Sequence, residues 1–169
     1  MKEKTFDDLF AEELAGLASA EAHWGKALPR LAKGISTEEL RGALLEQGET
    51  TKQHQAQLLG IAREFGWKGA VPACPGMEVL ISECSGVPQE FAPGNLLDCA
   101  LILKLQRAVQ YKLAAYTSVG ELARLFEREH VTAFLHEAIT AVSLASKKLS
   151  QIAIQVNAEA YVDHRAPGS

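Results

Sequence analysis

The sequence predicts an all-α fold, a four-helix bundle with a long crossover carrying a short helix between helices two and three. Three observations predict it. Apolar residues recur at alternating steps of three and four through most of the chain, the spacing that lines one face of a helix. Nine of the 19 glycines and prolines fall between Gly66 and Gly94, which divides the chain into two halves. Strand-like alternation is nearly absent. With 169 residues, 47% of them apolar, the chain is long enough to bury one sizeable core.

In the first helix Phe10, Leu14, Leu17, Glu21, Trp24, Leu28 and Leu31 form one seam. Ser36-Thr37-Glu38-Glu39 supplies a capping start for the second, with hydroxyl and carboxylate groups available to orphan N–H groups. Its seam runs through Leu40, Leu44, Gln47, Thr51, His54, Leu58, Ile61 and Phe65, and Gly66 stops it. In the crossover, Met77 to Ile81 is the one apolar segment, expected as a helical turn or two.

Pro93-Gly94-Asn95 opens the third helix. One stripe carries Ile102, Leu105, Val109, Lys112, Tyr116 and Val119. A neighbouring stripe carries Leu103, Gln106, Gln110 and Leu113, which places this helix at the centre of the bundle. The fourth has the cleanest register, from Val131 through Leu135, Ala138, Val142, Ala145, Leu149 and Ile152 to Val156. An unbroken helix from Asn95 to Val156 would be roughly 90 Å long, too long for a compact domain of this size. A break is therefore expected between Leu125 and Val131, where Glu127-Arg128-Glu129-His130 gather charge. Residues 1–156 are expected to form the bundle, and 157–169, where periodicity lapses, a mobile C-terminal tail.

Composition excludes several function classes. No apolar run approaches the roughly 18 residues of a membrane span, and the first eight residues lack the apolar region of a secretory signal. Seventeen basic against 21 acidic residues give a net charge of −4, with no basic block to grip phosphate. Neither a nucleic-acid nor a membrane partner is expected. Three cysteines without metal-site spacing suit a reducing cytoplasm.

Several runs resemble the YciF-like, ferritin-like bacterial family. Asp8-Leu9-Phe10, Ser19-Ala20-Glu21 and Ala27-Leu28-Pro29-Arg30-Leu31-Ala32 are similar to its opening helix. Cys74 through Glu83 is similar to its crossover. Asp98-Cys99-Ala100-Leu101-Ile102 with Gln106, Tyr111, Ala114 and Tyr116 resembles its third helix. The likeness runs from Thr5 to Ala153. It implies a ferritin-like bundle and, in typical members, acidic and histidine residues projecting inward like a di-iron site. This chain departs from that pattern where the ligands would be. Gln47 and Thr50 replace a His and a Glu on the second helix, and Val109, Gln110 and Lys112 replace Glu-His-x-Glu on the third. On the fourth, Thr140, Ala141, Val142, Ser143 and Ser146 stand where acidic residues would be. Of the central acids only Glu21 matches.

The same conclusion follows from ligand chemistry alone. A carboxylate-bridged di-iron centre takes a Glu from each of two helices and Glu-x-x-His from each of the others. Cys99–Gly120 and Ala138–Ala158 contain no Asp or Glu at all, and the sole Glu-x-x-His, Glu127 to His130, falls at the interhelix break. No metal ligand, cofactor or catalytic residue is assigned.

What remains is a set of polar residues on apolar seams: Glu21, Lys112, His54, Gln47 and Gln110. A buried carboxylate needs a partner, and Lys112 or His54 is the candidate for Glu21. Val109, Ala141 and Val142 are expected to pack the rest of the centre with apolar side chains. Tyr111 and Tyr116 are expected as core aromatics with hydroxyls at the bundle edge. Taken together, the expected protein is a non-enzymatic, stress-associated bundle, a homodimer in the cytoplasm. Two alternatives stand beside it: a metal-dependent oxidoreductase or iron-binding protein using iron or manganese on other ligands, and a small-molecule binder using the bundle centre.

Overall fold

The computed structural model describes residues 3–165, and no strand occurs among them. Helix α1 spans Phe6–Ala32 and α2 spans Glu38–Glu64. Helix α3, Pro75–Glu90, forms the crossover. Helices α4, Asn95–Ala123, and α5, Glu129–Arg165, complete an all-α bundle.

Cross-helix contacts set the directions. On α2 and α5, Glu64 meets His130 and Glu46 meets Lys148; as one number falls the other rises, so the helices are antiparallel. On α4 and α5, Asn95 bonds Asp163, Gln106 bonds Ser150 and Gln110 bonds Ser146, again antiparallel. Phe126 at the end of α4 stacks on Phe6 and Phe10 at the start of α1, while Tyr116 reaches Glu21 further along. Neighbouring long helices thus alternate in direction, and α2 and α4 run parallel across a diagonal. The chain must return the length of the bundle between them, which is the work of α3.

Each helix begins and ends for a local reason. Thr5 opens α1 with a reciprocal capping box, its hydroxyl accepting from the Asp8 amide and the Asp8 carboxylate accepting from the Thr5 amide. Thr37 caps α2 differently from the sequence expectation. Its hydroxyl donates to Asp98 of α4 at 2.7 Å, and the Asp98 carboxylate accepts the amides of Ser36 and Thr37 as well. The end of α4 tightens into a 3-10 turn over Arg124–Phe126, and Glu127 then adopts φ +53. That left-handed residue reverses the chain without a glycine, inside the window expected for the break.

Three expectations need correction. The crossover helix has 16 residues rather than one or two turns. Pro75 occupies its first turn, where no intrahelical N–H is needed, and buried Met77, Cys84 and Val87 form a stripe that outweighs the glycines. Residues 157–165 continue α5 instead of forming a mobile tail. Ala160 is still buried, and Asp163 accepts from Asn95 at 2.8 Å; residues 166–169 lie outside the described ones. Finally, α4 is not the single central helix, since α1 packs on α2, α3 and α4 just as α4 packs on α1, α3 and α5. Phe10, Leu14, Trp24 and Leu28 are fully buried on α1, whereas the second stripe of α4 stays open at Leu103 and Gln110.

Candidate polar centre

Midway along the bundle α1, α2 and α4 each present side chains to one point. Glu21 comes from α1. Four residues apart on α4, Lys112 and Tyr116 share a face, and both are buried. Thr51 and His54, three apart, share a face of α2. The approach of α2 depends on Gly25, one turn after Glu21: a Cβ there would lie 2.9 Å from Thr51 Cγ2. Glycine at that position lets His54 come within reach of Glu21.

The Glu21 carboxylate has 0% exposure. Tyr116 donates its hydroxyl to Oε1 at 2.7 Å, and His54 Nδ1 lies 3.5 Å from the same oxygen. Lys112 Nζ lies 2.7 Å from Oε2. Apart from that ion pair, no other donor reaches Oε2. The His54 ring packs edge-to-face with Tyr116 and with Phe134 of α5, with centroids 5.7 and 5.9 Å away.

Burial is the largest influence on Glu21 and works to raise its pKa. The charge of Lys112 and the bonds from His54, Lys112 and Tyr116 outweigh it, so the carboxyl titrates below its ordinary value. Burial, reinforced by the negative charge of Glu21, pushes the Tyr116 phenol well above its ordinary value. The phenol is therefore a fixed neutral donor.

Of the polar seam residues, the structure brings Glu21, Lys112 and His54 together. Gln47 is half-buried nearby, where it accepts from the indole N–H of Trp24 at 3.1 Å. Gln110 is not a core residue. It is exposed and donates to Ser146 at 2.7 Å, because the residue after inward-facing Val109 points about 100° further round the helix. Tyr111 is likewise exposed, its hydroxyl 3.6 Å from Cys74 Sγ. Two residues escaped sequence reasoning. The hydroxyl of Tyr116 ends at the bundle centre, not its edge, and its i, i+4 relation to Lys112 was the available signal. Asp98 is a buried carboxylate whose partners lie 61 and 62 residues away, beyond any local pattern.

The centre is also less filled than expected. Val109, Ala141 and Val142 do stand there, but these short side chains leave a cleft of about 180 Å³ between α2, α4 and α5, with Lys112 and His54 on its wall.

This donor set does not fit a di-iron pair. It offers one carboxylate and one imidazole, and an ammonium already neutralises the carboxylate. Among the described residues no three His, Cys, Asp or Glu side chains converge as a metal site would require. Elsewhere, His23 lies between the Ser19 carbonyl and Glu78, and His130 meets Glu64.

A family model described as a domain of unknown function, DUF892, matches residues 5–161. Protein YciF of Escherichia coli K12 is 29% identical over 155 residues, covering 91% of this chain and 93% of that protein. The crystal structure of the E. coli stress protein YciF superposes with a TM-score of 0.82 at 26% identity, over 91% of this chain and 98% of that one. YcfI from Rhodopseudomonas palustris superposes with a TM-score of 0.80 at 25% identity, over 87% and 94% of the two chains.

Proposed function

The chain belongs to the YciF-like family, DUF892, and from that premise we propose that it is a non-enzymatic, ferritin-like, stress-associated bundle. In this reading it acts through its surfaces as a cytoplasmic homodimer, and its centre carries a charge cluster in place of a metal pair. One observation carries the reading: the Lys112 ammonium 2.7 Å from the buried Glu21 carboxylate. A lysine there supplies the positive charge that a metal would otherwise bring, and its ammonium repels a second cation. The relative described as a stress protein supports the physiological setting. The net charge of −4 and the absence, among the described residues, of a helix long and apolar enough to cross a membrane support a protein partner over nucleic acid or lipid.

Elemental analysis of protein purified without a chelating tag tests the central claim. The expected result is iron and manganese far below one atom per chain. Metal near one per chain, lost on Glu21→Gln, would overturn it. Light scattering at micromolar concentration tests the dimer.

A further inference from the structure

The cleft beside the polar centre has the makings of a ligand site. Its volume of about 180 Å³ compares with the roughly 150 Å³ of an apolar protein cavity that holds benzene. One side is apolar, built from Val109, Ala141, Val142 and Ala145. The other carries Lys112, which is only 4% exposed.

The sign of the charged wall points to the ligand. Three charged side chains line the cleft: Lys112 and Lys148, both cations, and Glu46. Glu46 is engaged by Lys148 at 2.6 Å. Glu21 is not part of the wall; it lies behind Lys112, fully buried. Its Oε2 can occupy one of the three N–H donors of that ammonium, and among the described residues no other ion-pair partner of Lys112 occurs. A desolvated ammonium with donors to spare, facing a small apolar chamber, matches an anionic head on a compact apolar body.

The geometry points to a binding site for a small monocarboxylate of about benzene size, its carboxylate on Lys112 and its body against Val109, Ala141, Val142 and Ala145. This inference rests on the reading that Lys112, and not a metal, neutralises Glu21. Thr51 and His54, also on the wall, add polar contacts beside the carboxylate.

Calorimetric titration of the full chain with benzoate tests it, on protein whose metal content has first been measured. Benzamide serves as the neutral isostere of the same body. Saturable one-site benzoate binding is expected, with benzamide about tenfold weaker or more, the factor that a charge-assisted bond supplies. Ala145→Leu, which fills the cleft without touching the Glu21–Lys112 pair, should abolish binding while circular dichroism stays unchanged. Lys112→Met together with Glu21→Leu should lose the preference for benzoate over benzamide. Equal affinity for the two probes, or benzoate binding undisturbed by Ala145→Leu, would overturn the assignment. Metal-free protein that binds no benzoate would overturn this proposal alone. Metal near one per chain would overturn the reading beneath it, and the proposal with it.

Discussion

Among the described residues two carboxylates have 0% exposure, Glu21 at the middle of the bundle and Asp98 at one end, and their surroundings differ in kind. Asp98 is satisfied mainly by main chain, the amides of Ser36 and Thr37, with the Thr37 hydroxyl in addition. Glu21 is satisfied only by side chains, from Lys112, Tyr116 and His54 on two other helices. Backbone donors are present whatever residues stand at 36 and 37, so the first site is a property of the fold. The second exists only because of which residues occupy three positions. A bundle centre built from exchangeable side chains can change its chemistry while the scaffold stays the same.

The sharpest way to break that comparison is to strand Glu21. Lys112→Met alone should destabilise by about 3–5 kcal/mol, since it leaves a buried carboxylate without its cation. Adding Glu21→Leu should recover most of the loss. Urea unfolding of the four proteins measures the coupling, and additive effects within about 0.5 kcal/mol would mean that the pair is energetically independent.

Asp98→Ala comes next, with an expected loss of about 2–4 kcal/mol from two amides and a hydroxyl left without their acceptor. No second-site substitution should rescue it, unlike Lys112→Met, because its partners are main chain. Rescue by any side chain near Thr37 would erase the distinction between the two sites.

Tyr116→Phe should cost about 1.5–3 kcal/mol, the range for a hydrogen bond to a charged group, read as a lower melting temperature at pH 7. It also carries a pH signature. The folded-state pKa of Glu21 is lowered, so its stabilising contribution is complete above the unfolded value of about 4.3. That contribution is lost as pH falls through the lower folded value. Removing the Tyr116 bond raises the folded value toward the unfolded one, so the acid limb of stability in Tyr116→Phe should be smaller and should level off at higher pH. Glu21→Gln should remove this limb's dependence altogether, while Asp98→Ala should leave it in place.

The smallest effect is expected outside both sites. Glu127→Gly relieves a left-handed residue and should stabilise by up to about 1 kcal/mol. It should add to Lys112→Met and to Asp98→Ala alike, as a distant site should.

Helical periodicity made most of this fold legible, because each long helix buries one face. The break at Glu127 could be read from length and charge alone. The crossover helix and the last turns of α5 were obscured for a shared reason: burial of a sparse stripe, Met77, Cys84 and Val87 in one case and Val156 and Ala160 in the other, overrides weak local signals. At the centre, Glu21 and Lys112 were legible as charges on apolar seams. Gln110 was misplaced because one step on a helix turns a side chain out of the core. The cleft was not legible, since the sequence names the residues that line a space but not whether they meet across it.

Asp98 also bears on the order in which the bundle assembles. The carboxylate that completes the first turn of α2 is synthesised 61 and 62 positions after the amides it accepts. A nascent α1–α2 hairpin therefore has that turn supported by Glu38 and Glu39 at the positive end of the helix dipole and by Arg41, which donates to the Ile35 carbonyl, but not by Asp98. Docking of the second hairpin then locks it, so fraying at Ser36 and Thr37 and separation of the two hairpins become a single cooperative opening. Amide protection at the start of α2 thus reports on a contact made by another helix.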